Sequence, residues 1–435
     1  MRQLRPGDLI QSVQTLGALM VLSIALGSAT CGRAEAATLC VNHAGSGSCF
    51  SSIGAAVAAA SANDTIQVAD GIYKEDVIID KSLTLMGAKQ KRTIIDASRL
   101  SNGIYIDGID NPGLSNVVVS NLEVENANFE GILVANASSV SIKHCLIVFN
   151  NRNQTAAPSC PGIPSFETGE SFDCGEGLHL TGVDHSTVAN NTVEENTGGI
   201  LLSDDTGATH DNMIMGNLVM NNPFDCGITL ASHPAAALTG SSSPLGVFNN
   251  TIAANSSLNN GLVVPGAGAG VGIFDSVPGA QAFGNTVIHN RIEGNGLPGV
   301  ALHSHTPGQN LNDNMIIGNR ISSNGMDTSD AATTGPTGIN IFGVSPITGT
   351  VISQNVITHE SLDLVVNTPG DVKADSNDLY GSGRIGVQNV GTGNVDATDN
   401  WWGCKEGPGV FPCSNVNGPG AVSFSPWLKK TVKLK

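Results

Sequence analysis

The chain has 435 residues, and its formal net charge of −17 comes from 37 acidic residues against 20 Lys and Arg residues. This charge argues against a nucleic-acid partner, because phosphate is attracted to basic surfaces. It also disfavours an anionic polysaccharide, unless a bound divalent cation such as calcium intervenes.

The N-terminal segment has the pattern of a secretory signal. Arg2 and Arg5 precede an apolar run at 16–29, and Ala34-Glu35-Ala36 offers a cleavage site of small residues. We predict a signal peptide over residues 1–36 and a secreted or periplasmic protein. A lipid anchor on Cys31 is the rival interpretation, but Leu is absent three residues before it. The apolar run is too short to span a bilayer, and no later segment is long enough, so no membrane span is expected.

Removal of the signal leaves eight of the nine cysteines, and an even number in an exported chain favours disulfides. The pairs expected at the two ends of the chain are Cys40 with Cys49 and Cys404 with Cys413. The middle set allows three pairings, of which Cys160 with Cys174 is preferred, and comprises Cys145, Cys160, Cys174 and Cys226. Metal binding is the minor alternative, since none of these cysteines has Cys-x-x-Cys spacing.

Residues 37–62 are predicted to form an N-terminal cap. Ser51 or Ser52 can begin a short helix that carries Ile53, Ala56 and Val57 on one face. A stack of strands exposes its core at an open end, and such a helix would cover it.

From about Ser186 onward one phrase recurs: an aliphatic residue, two variable residues, Asn, one variable residue and another aliphatic residue. Its asparagines are Asn191, Asn217, Asn250, Asn290, Asn319 and Asn355. A second phrase, Gly-aliphatic-x-aliphatic, comes before most of them at a variable interval and reads as a short strand with one buried face. We predict a parallel β-helix over residues 63–400, in which the six asparagines form one stack and occupy left-handed bends between strands.

Three stretches carry a resemblance to a known family: the opening from Asn63 to Glu75 with Lys81 to Gly87, the Asn phrases, and the ending Asn400-Trp401-Trp402-Gly403. The chain resembles the pectin-lyase-like superfamily, which includes polysaccharide lyases, polygalacturonases, pectin esterases and periplasmic proteins of nitrous oxide reductase maturation. The resemblance implies an all-β fold, a single-stranded right-handed parallel β-helix with an N-terminal capping helix. The aromatic residues of 401–435 are expected to pack as a C-terminal cap and tail.

In resembling enzymes the polysaccharide lies in a trough, whose floor here would be the outward face of the Gly-led strands. Loops at 150–176, 322–336 and 233–245 would form its walls. The predicted catalytic residues at the strand ends are Asp204, Asp205, His233, Asp275 and His303. The predicted substrate-binding residues are His179, Asp184, His305, Phe274 and Phe342, and the predicted metal ligands are Asp204 and Asp205. The plain alternative is that these are solvent-facing polar residues without a function.

Family motifs limit the chemistry. Lyases of this fold need Arg or Lys as a base, but the only such residues between Arg152 and Lys373 are Arg291 and Arg320, away from the Gly-led strands. Polygalacturonases resemble the chain in an Asp pair on one coil and a His on the next, here Asp204, Asp205 and His233. Their Gly-His-Gly and Arg-x-Lys motifs are absent from this sequence, which argues against binding of a substrate carboxylate and is compatible with a neutral glycan.

Three hypotheses follow. The chain is an exported glycoside hydrolase or lyase acting on a polysaccharide, a non-catalytic protein that binds glycan or metal, or a structural cell-surface rod. A monomer is expected in each case. Release of reducing ends from a glycan panel separates the first hypothesis from the other two.

Overall fold

A computed structural model describes residues 36–151, 175–233, 245–263, 268–275, 277–380 and 384–432. Nearly all of its regular structure is parallel strand, and one helix precedes the main coils. The Cys160–Cys174 pairing lies outside the described residues. No described helix is long and apolar enough to cross a membrane.

The chain coils through three long parallel sheets, which we call A, B and C in the order in which each coil visits them. Sheet A contains fourteen described strands: β1 (Thr38–Val41), β2 (Thr65–Val68), β5 (Thr84–Gly87), β8 (Val118–Ser120), β11 (Ser141–Lys143), β14 (Thr187–Ala189), β18 (Met213–Met215), β22 (Thr251–Ala253), β25 (Thr286–Ile288), β28 (Met315–Ile317), β31 (Val351–Ser353), β34 (Val372–Asp375), β37 (Val395–Asp396) and β39 (Val422–Ser423).

Sheet B contains eleven: β3 (Gly71–Tyr73), β6 (Thr93–Asp96), β9 (Glu123–Glu125), β12 (Leu146–Val148), β15 (Thr192–Glu194), β19 (Leu218–Met220), β23 (Ser256–Leu258), β26 (Arg291–Glu293), β29 (Arg320–Ser322), β32 (Val356–Thr358) and β35 (Asp378–Leu379).

Sheet C contains the Gly-led strands and their equivalents, twelve in all: β4 (Val77–Ile79), β7 (Ile104–Asp107), β10 (Ile132–Ala135), β13 (Glu176–Thr181), β16 (Gly198–Ser203), β20 (Ile228–Ser232), β24 (Val271–Asp275), β27 (Val300–Ser304), β30 (Thr337–Gly343), β33 (Leu362–Asn367), β36 (Ile385–Asn389) and β38 (Asn415–Asn417). A two-stranded ribbon, β17 (Thr209–His210) with β21 (Val247–Phe248), lies between sheets C and A. The predicted right-handed parallel β-helix is confirmed.

The helix α1 (Ile53–Ala59) precedes the main coils of the solenoid. Ser52 is its N-cap and accepts a hydrogen bond from the Ala55 amide at 3.2 Å, while the Glu75 carboxylate accepts from the amides of Ile53 and Gly54. A carboxylate is favoured there, because the first amides of a helix have no partner within it. Ile53 and Val57 are buried in the core.

The interior is held by three columns of asparagine, one at each corner of the coil. Four consecutive coils carry Asn at three positions spaced by five residues, and the three-residue strands of sheets A and B lie between them. These coils contain Asn212, Asn217 and Asn222; Asn250, Asn255 and Asn260; Asn285, Asn290 and Asn295; and Asn314, Asn319 and Asn324. Equivalent residues hydrogen-bond along each column, as Asn217 Nδ2 does to Asn255 Oδ1 at 3.0 Å.

Two expectations about the Asn stack are wrong. Asn250 bonds to Asn212 and Asn285 in the column that precedes sheet A, and Asn255 takes the place expected for it beside Asn217. Three asparagines at equal spacing present almost the same local pattern, so the sequence phrase selected the wrong one. The left-handed bend belongs to the residue before a ladder Asn, as at His289 (φ 56°), so the ladder Asn is retained for its amide hydrogen bonds.

Disulfides join Cys40 to Cys49 and Cys404 to Cys413, the two pairings predicted for the ends of the chain. Cys145 and Cys226 are free thiols. Burial raises the pKa of the Cys145 thiol to about 12, so it stays protonated and packs as an apolar core residue.

Candidate functional site

The outward face of sheet C aligns polar and aromatic side chains from neighbouring coils. Alternate residues of each strand, such as Leu178 and Leu180, point into the core, so the residues between them point outward. The sheet register places one outward position of six consecutive strands in a column: Thr181, Ser203, Ala231, Phe274, His303 and Phe342. Neighbours in this column are about 4.8 Å apart.

A buried hydrogen-bond chain crosses the neighbouring coils at one part of this face. Asp205 Oδ2 lies 3.2 Å from His233 Nδ1 and accepts a hydrogen bond of 2.5 Å from Ser203 Oγ. On its other side Ser203 Oγ lies 2.8 Å from His179 Nε2, and His179 Nδ1 lies 3.3 Å from Glu130 Oε1. All five residues are buried. Asp205 and His233, which the sequence places at the ends of successive coils, are therefore in contact within a longer hydrogen-bond chain.

Asp205 is held in its ionised form. Burial opposes ionisation, but the charge and hydrogen bond of His233 outweigh it, with further help from His179 and Ser203, so the pKa of Asp205 is lowered. At neutral pH this carboxylate can accept a proton or stabilise positive charge.

Asp204 turns away from Asp205 and holds a loop. Its oxygens accept hydrogen bonds from the amides of His233, Leu245 and Gly246 at 2.6 to 2.8 Å and from the Ser232 hydroxyl at 3.0 Å. Burial raises the pKa of Asp204, although the bonds from Gly246 and His233 favour the carboxylate. These bonds use the oxygens that a metal would need, so the geometry gives Asp204 a structural role.

Asp275 lies one coil further along, with its Cα opposite Ser232. It is fully buried, and neither of its oxygens has a hydrogen-bond partner among the described residues. Burial raises the pKa of Asp275 to about 8, and the nearby charge of Asp204 acts in the same direction, against a smaller effect of His233. Asp275 is therefore a carboxylic acid at neutral pH, beside the group that contains the ionised Asp205.

A second group lies on the next coils and is more open. The partly exposed rings of Phe274, His305 and Phe342 surround His303, and their centroids are 5.2 to 5.9 Å apart. Such an array of half-exposed rings offers apolar faces and edges to the C–H groups of a sugar. The four residues were predicted to share the trough, and the structure brings them together.

Asp184 lies elsewhere. It pairs with His185 at 2.6 Å on the turn between sheets C and A, beside a row of stacked rings that continues through His210, Phe248 and Phe283. The ring planes of His210 and Phe248 differ by 6°, so they cover each other's faces. This row stabilises the corner and leaves Asp184 outside the group around Asp205.

Two groups of His, Cys, Asp or Glu among the described residues bring three ligand atoms within 4.8 Å of one another: Cys404, Glu406 and Cys413, and the buried set Glu130, Glu176 and His179. The first is unsuited to a metal, because its cysteines are joined in a disulfide. In the second, both His179 nitrogens already face Glu130 and Ser203. Neither of these two groups of described residues contains Asp204 or Asp205.

Glu130 and Asp327 were not predicted from the sequence as site residues. Glu130 directly precedes Gly131, just before β10, and Glu176 opens β13 directly before Gly177. The repeated Glu-Gly pair was therefore an available signal. Asp327 lies 3.4 Å from His303 and belongs to the loop at 322–336 that was expected to wall the trough. A loop of this length gave no register from which its contacts could be read.

The fold and the columns of side chains together define a right-handed parallel β-helix protein with a polar and aromatic face on one sheet. The family model described as "Right handed beta helix region" matches residues 88–401, and the chain belongs to this family. No curated protein matches the chain.

Solved structures share the fold at low identity. DFA-IIIase from Arthrobacter chlorophenolicus, without its lid and in complex with GF2, is 15% identical, with a TM-score of 0.52 over 86% of this chain and 95% of that one. The Dettilon tailspike protein is 11% identical, with a TM-score of 0.52 over 82% of this chain and 62% of that one. The catalytic domain of a GH87 α-1,3-glucanase in complex with tetrasaccharides is 12% identical, with a TM-score of 0.50 over 85% and 64%. These likenesses show the fold alone.

Proposed function

We propose that the protein is an exported glycoside hydrolase that cleaves a neutral polysaccharide lying along the outward face of sheet C. The observation that carries this proposal is the presence of two differently held carboxyl groups on nearby coils. Asp205 is bonded to Ser203 and His233, which lowers its pKa, whereas Asp275 has no hydrogen-bond partner among the described residues and burial raises its pKa. Glycoside hydrolysis requires one carboxylic acid and one carboxylate.

In this mechanism Asp275 gives its proton to the glycosidic oxygen as the bond from that oxygen to the anomeric carbon breaks. Asp205 takes a proton from the water whose oxygen forms the new bond to that carbon, so one water is consumed. Ser203 and His233 fix the orientation of Asp205, and His179 holds Ser203.

The charge of the face supports a neutral substrate. None of the twelve described strands of sheet C contains Lys or Arg. A lyase acting on uronic acid would have to neutralise a substrate carboxylate, and strands that carry Asp and Glu but no Lys or Arg disfavour that group. This favours hydrolysis over β-elimination.

Other properties support carbohydrate chemistry outside the cytoplasm. One structure with this fold, the α-1,3-glucanase catalytic domain, is a complex with tetrasaccharides, and the DFA-IIIase structure is a complex with GF2. The signal-like N-terminus and the two disulfides fit an exported protein.

Glycan binding without turnover is the second candidate. It is favoured by the burial of Asp205 and Asp275, which are 1% and 0% exposed, beside the more open aromatic group. In that case the carboxyl groups would serve the packing of the trough floor.

The test is release of reducing ends from neutral glucans, mannans and xylans by the wild type, Asp205→Asn, Asp275→Asn and the control Asp375→Asn on sheet A. Each of the first two changes should lower kcat by about 10²-fold or more while the fold persists. Activity should fall above about pH 8, where the Asp275 proton is lost. Unchanged turnover in both variants would reject these roles, and binding without release by the wild type would support the second candidate.

A further inference from the structure

One carboxylate oxygen in the loop beside the open part of sheet C lacks a hydrogen-bond partner among the described residues. Asp327 is 2% exposed, and its Oδ1 accepts a hydrogen bond of 2.8 Å from the Ser329 amide. Its Oδ2 has no hydrogen-bond partner within the described part of the chain and lies 3.4 Å from His303 Nε2. A buried acceptor without a bond costs about 1 to 3 kcal/mol, so its retention points to a ligand that completes it.

The neighbouring residues fix the hydrogen-bonding state of His303. The Asp330 carboxylate accepts a hydrogen bond from Asn340 Nδ2 at 3.0 Å, which fixes the orientation of the Asn340 amide. Asn340 Oδ1 therefore faces His303 Nε2 at 2.8 Å and accepts a hydrogen bond from it. His303 Nε2 therefore carries the hydrogen. Burial lowers the pKa of His303, against the opposing effect of Asp327, so the ring is neutral and its Nδ1 is a hydrogen-bond acceptor.

Asp330 differs from Asp327 in having its bonds complete. Its Oδ1 accepts from Asn367 Nδ2 and the Ala332 amide at 2.8 and 2.9 Å, and its Oδ2 accepts from Asn340. Asp330 thus positions the amides of two neighbouring coils. Asp327, in the same loop, keeps an acceptor available beside His303.

We propose that Asp327 and His303, with the rings of Phe274, His305 and Phe342, form a binding subsite for one unit of a neutral sugar. Adjacent sugar hydroxyls would donate to Asp327 Oδ2 and His303 Nδ1, and the C–H face of the ring would pack on Phe342. A uronate would be rejected, because its carboxylate would meet Asp327.

The subsite rests on the proposed function and predicts how many sugar units a substrate needs. His303 is one coil from Asp275 and three from Ser203, and a pyranose unit of about 5 Å is close to the strand spacing of about 4.8 Å. A chain running along the solenoid would therefore place the subsite one to three sugar units from the cleaved bond. Short oligosaccharides would not reach it.

The test compares Asp327→Asn and Phe342→Ala with the control Asp375→Asn. The kinetic probes are oligosaccharides of two to eight units prepared from a neutral polysaccharide that the wild type cleaves. Wild-type kcat/KM should rise steeply at about four or five units. Asp327→Asn should raise KM by about 10-fold or more for the longer oligosaccharides and leave their kcat at saturation unchanged. The kinetic constants for the disaccharide should not change. A fall in kcat with constant KM would instead make Asp327 part of the chemistry and overturn the subsite.

A binding arm separates this inference from the proposed function. Gel retardation by neutral glucans, mannans and xylans is measured for Asp275→Asn alone and with Asp327→Asn or Phe342→Ala added. Retardation that the added changes abolish supports the subsite even if the wild type cleaves nothing. Retardation that they leave intact, or no retardation by any polysaccharide, overturns it. Phe342→Ala decides the question should Asp327→Asn fail to fold, because the Phe342 ring is partly exposed.

Discussion

The Asn ladders and the face of sheet C both stack polar side chains from coil to coil, but only the ladders complete their hydrogen bonds. Asn290 Oδ1 accepts from the backbone and side-chain nitrogens of Asn255, while its Nδ2 donates to Ile252 O and Asn319 Oδ1. On sheet C, Asp275 and Asp327 keep carboxylate oxygens without partners in the described chain. Stacked polar groups with complete hydrogen bonds therefore hold the architecture, whereas buried ones that lack partners mark the candidate site.

Breaking a ladder should have the largest effect on stability. Asn290→Val removes four hydrogen bonds, among them those to the buried Asn255 backbone amide and the Ile252 carbonyl, so the free energy of unfolding should fall by about 3 to 5 kcal/mol. His289→Asn is the matched control, because it keeps a residue that tolerates the left-handed bend and should change stability by less than about 0.5 kcal/mol. Urea unfolding measures both. Equal stability of Asn290→Val and wild type would refute the account of the ladder.

The unpaired carboxyl group should make stability depend on pH. The pKa of Asp275 is raised from 3.8 to about 8 in the folded protein, so its contribution is fully favourable below about pH 4 and is lost as pH rises through 8. Asp275→Asn removes the titrating group. It should match the wild type at pH 4 and exceed it by about 2 to 4 kcal/mol at pH 9. Denaturant melts at both pH values test this, and a constant difference would mean that Asp275 is already ionised.

The disulfide at the N-terminal end of the solenoid should contribute to stability independently of the Asn ladders and of the face of sheet C. Replacing Cys40 and Cys49 by Ser opens a loop with a sequence separation of 9, which should cost about 2 to 3 kcal/mol. Combined with Asn290→Val, the two losses should add, since the sites share no contacts. Marked non-additivity in urea melts would show that the ladder and the cap unfold as one coupled unit.

A smaller effect is expected where a carboxylate replaces a ladder amide. Glu360 accepts from Asn324 N and Nδ2 at the end of one column, and burial raises its pKa from 4.5 to about 7, against the bonds from Asn324. Its stabilising contribution is thus lost between about pH 4.5 and 7. Glu360→Gln should gain about 1 to 2 kcal/mol at pH 8 and nothing at pH 4. A loss at pH 8 would show that the charge itself is required.

The fold was predictable from the sequence because period-two strands and repeated Asn phrases are local signals. The pairing of Asp205 with His233 followed from the same strand counting. The assignment of Asn250 failed, since an Asn spacing of five residues repeats the same phrase at three corners of the coil. Asp327 could not be placed, because its contact with His303 depends on the path of a loop that has no repeat. The different environments of Asp204 and Asp205 likewise depend on amides from a distant loop.

The five-residue spacing of the ladders also makes each coil an interchangeable unit. Residues 250–284 and 285–313 begin at equivalent Asn positions, and each presents the same three amides to its neighbours on both sides. Gene duplication or deletion of one such unit would rejoin every ladder without changing the register of the stacked asparagines. The outward face of sheet C would therefore lengthen or shorten by whole coils during evolution, while the loops between the strands diverge separately.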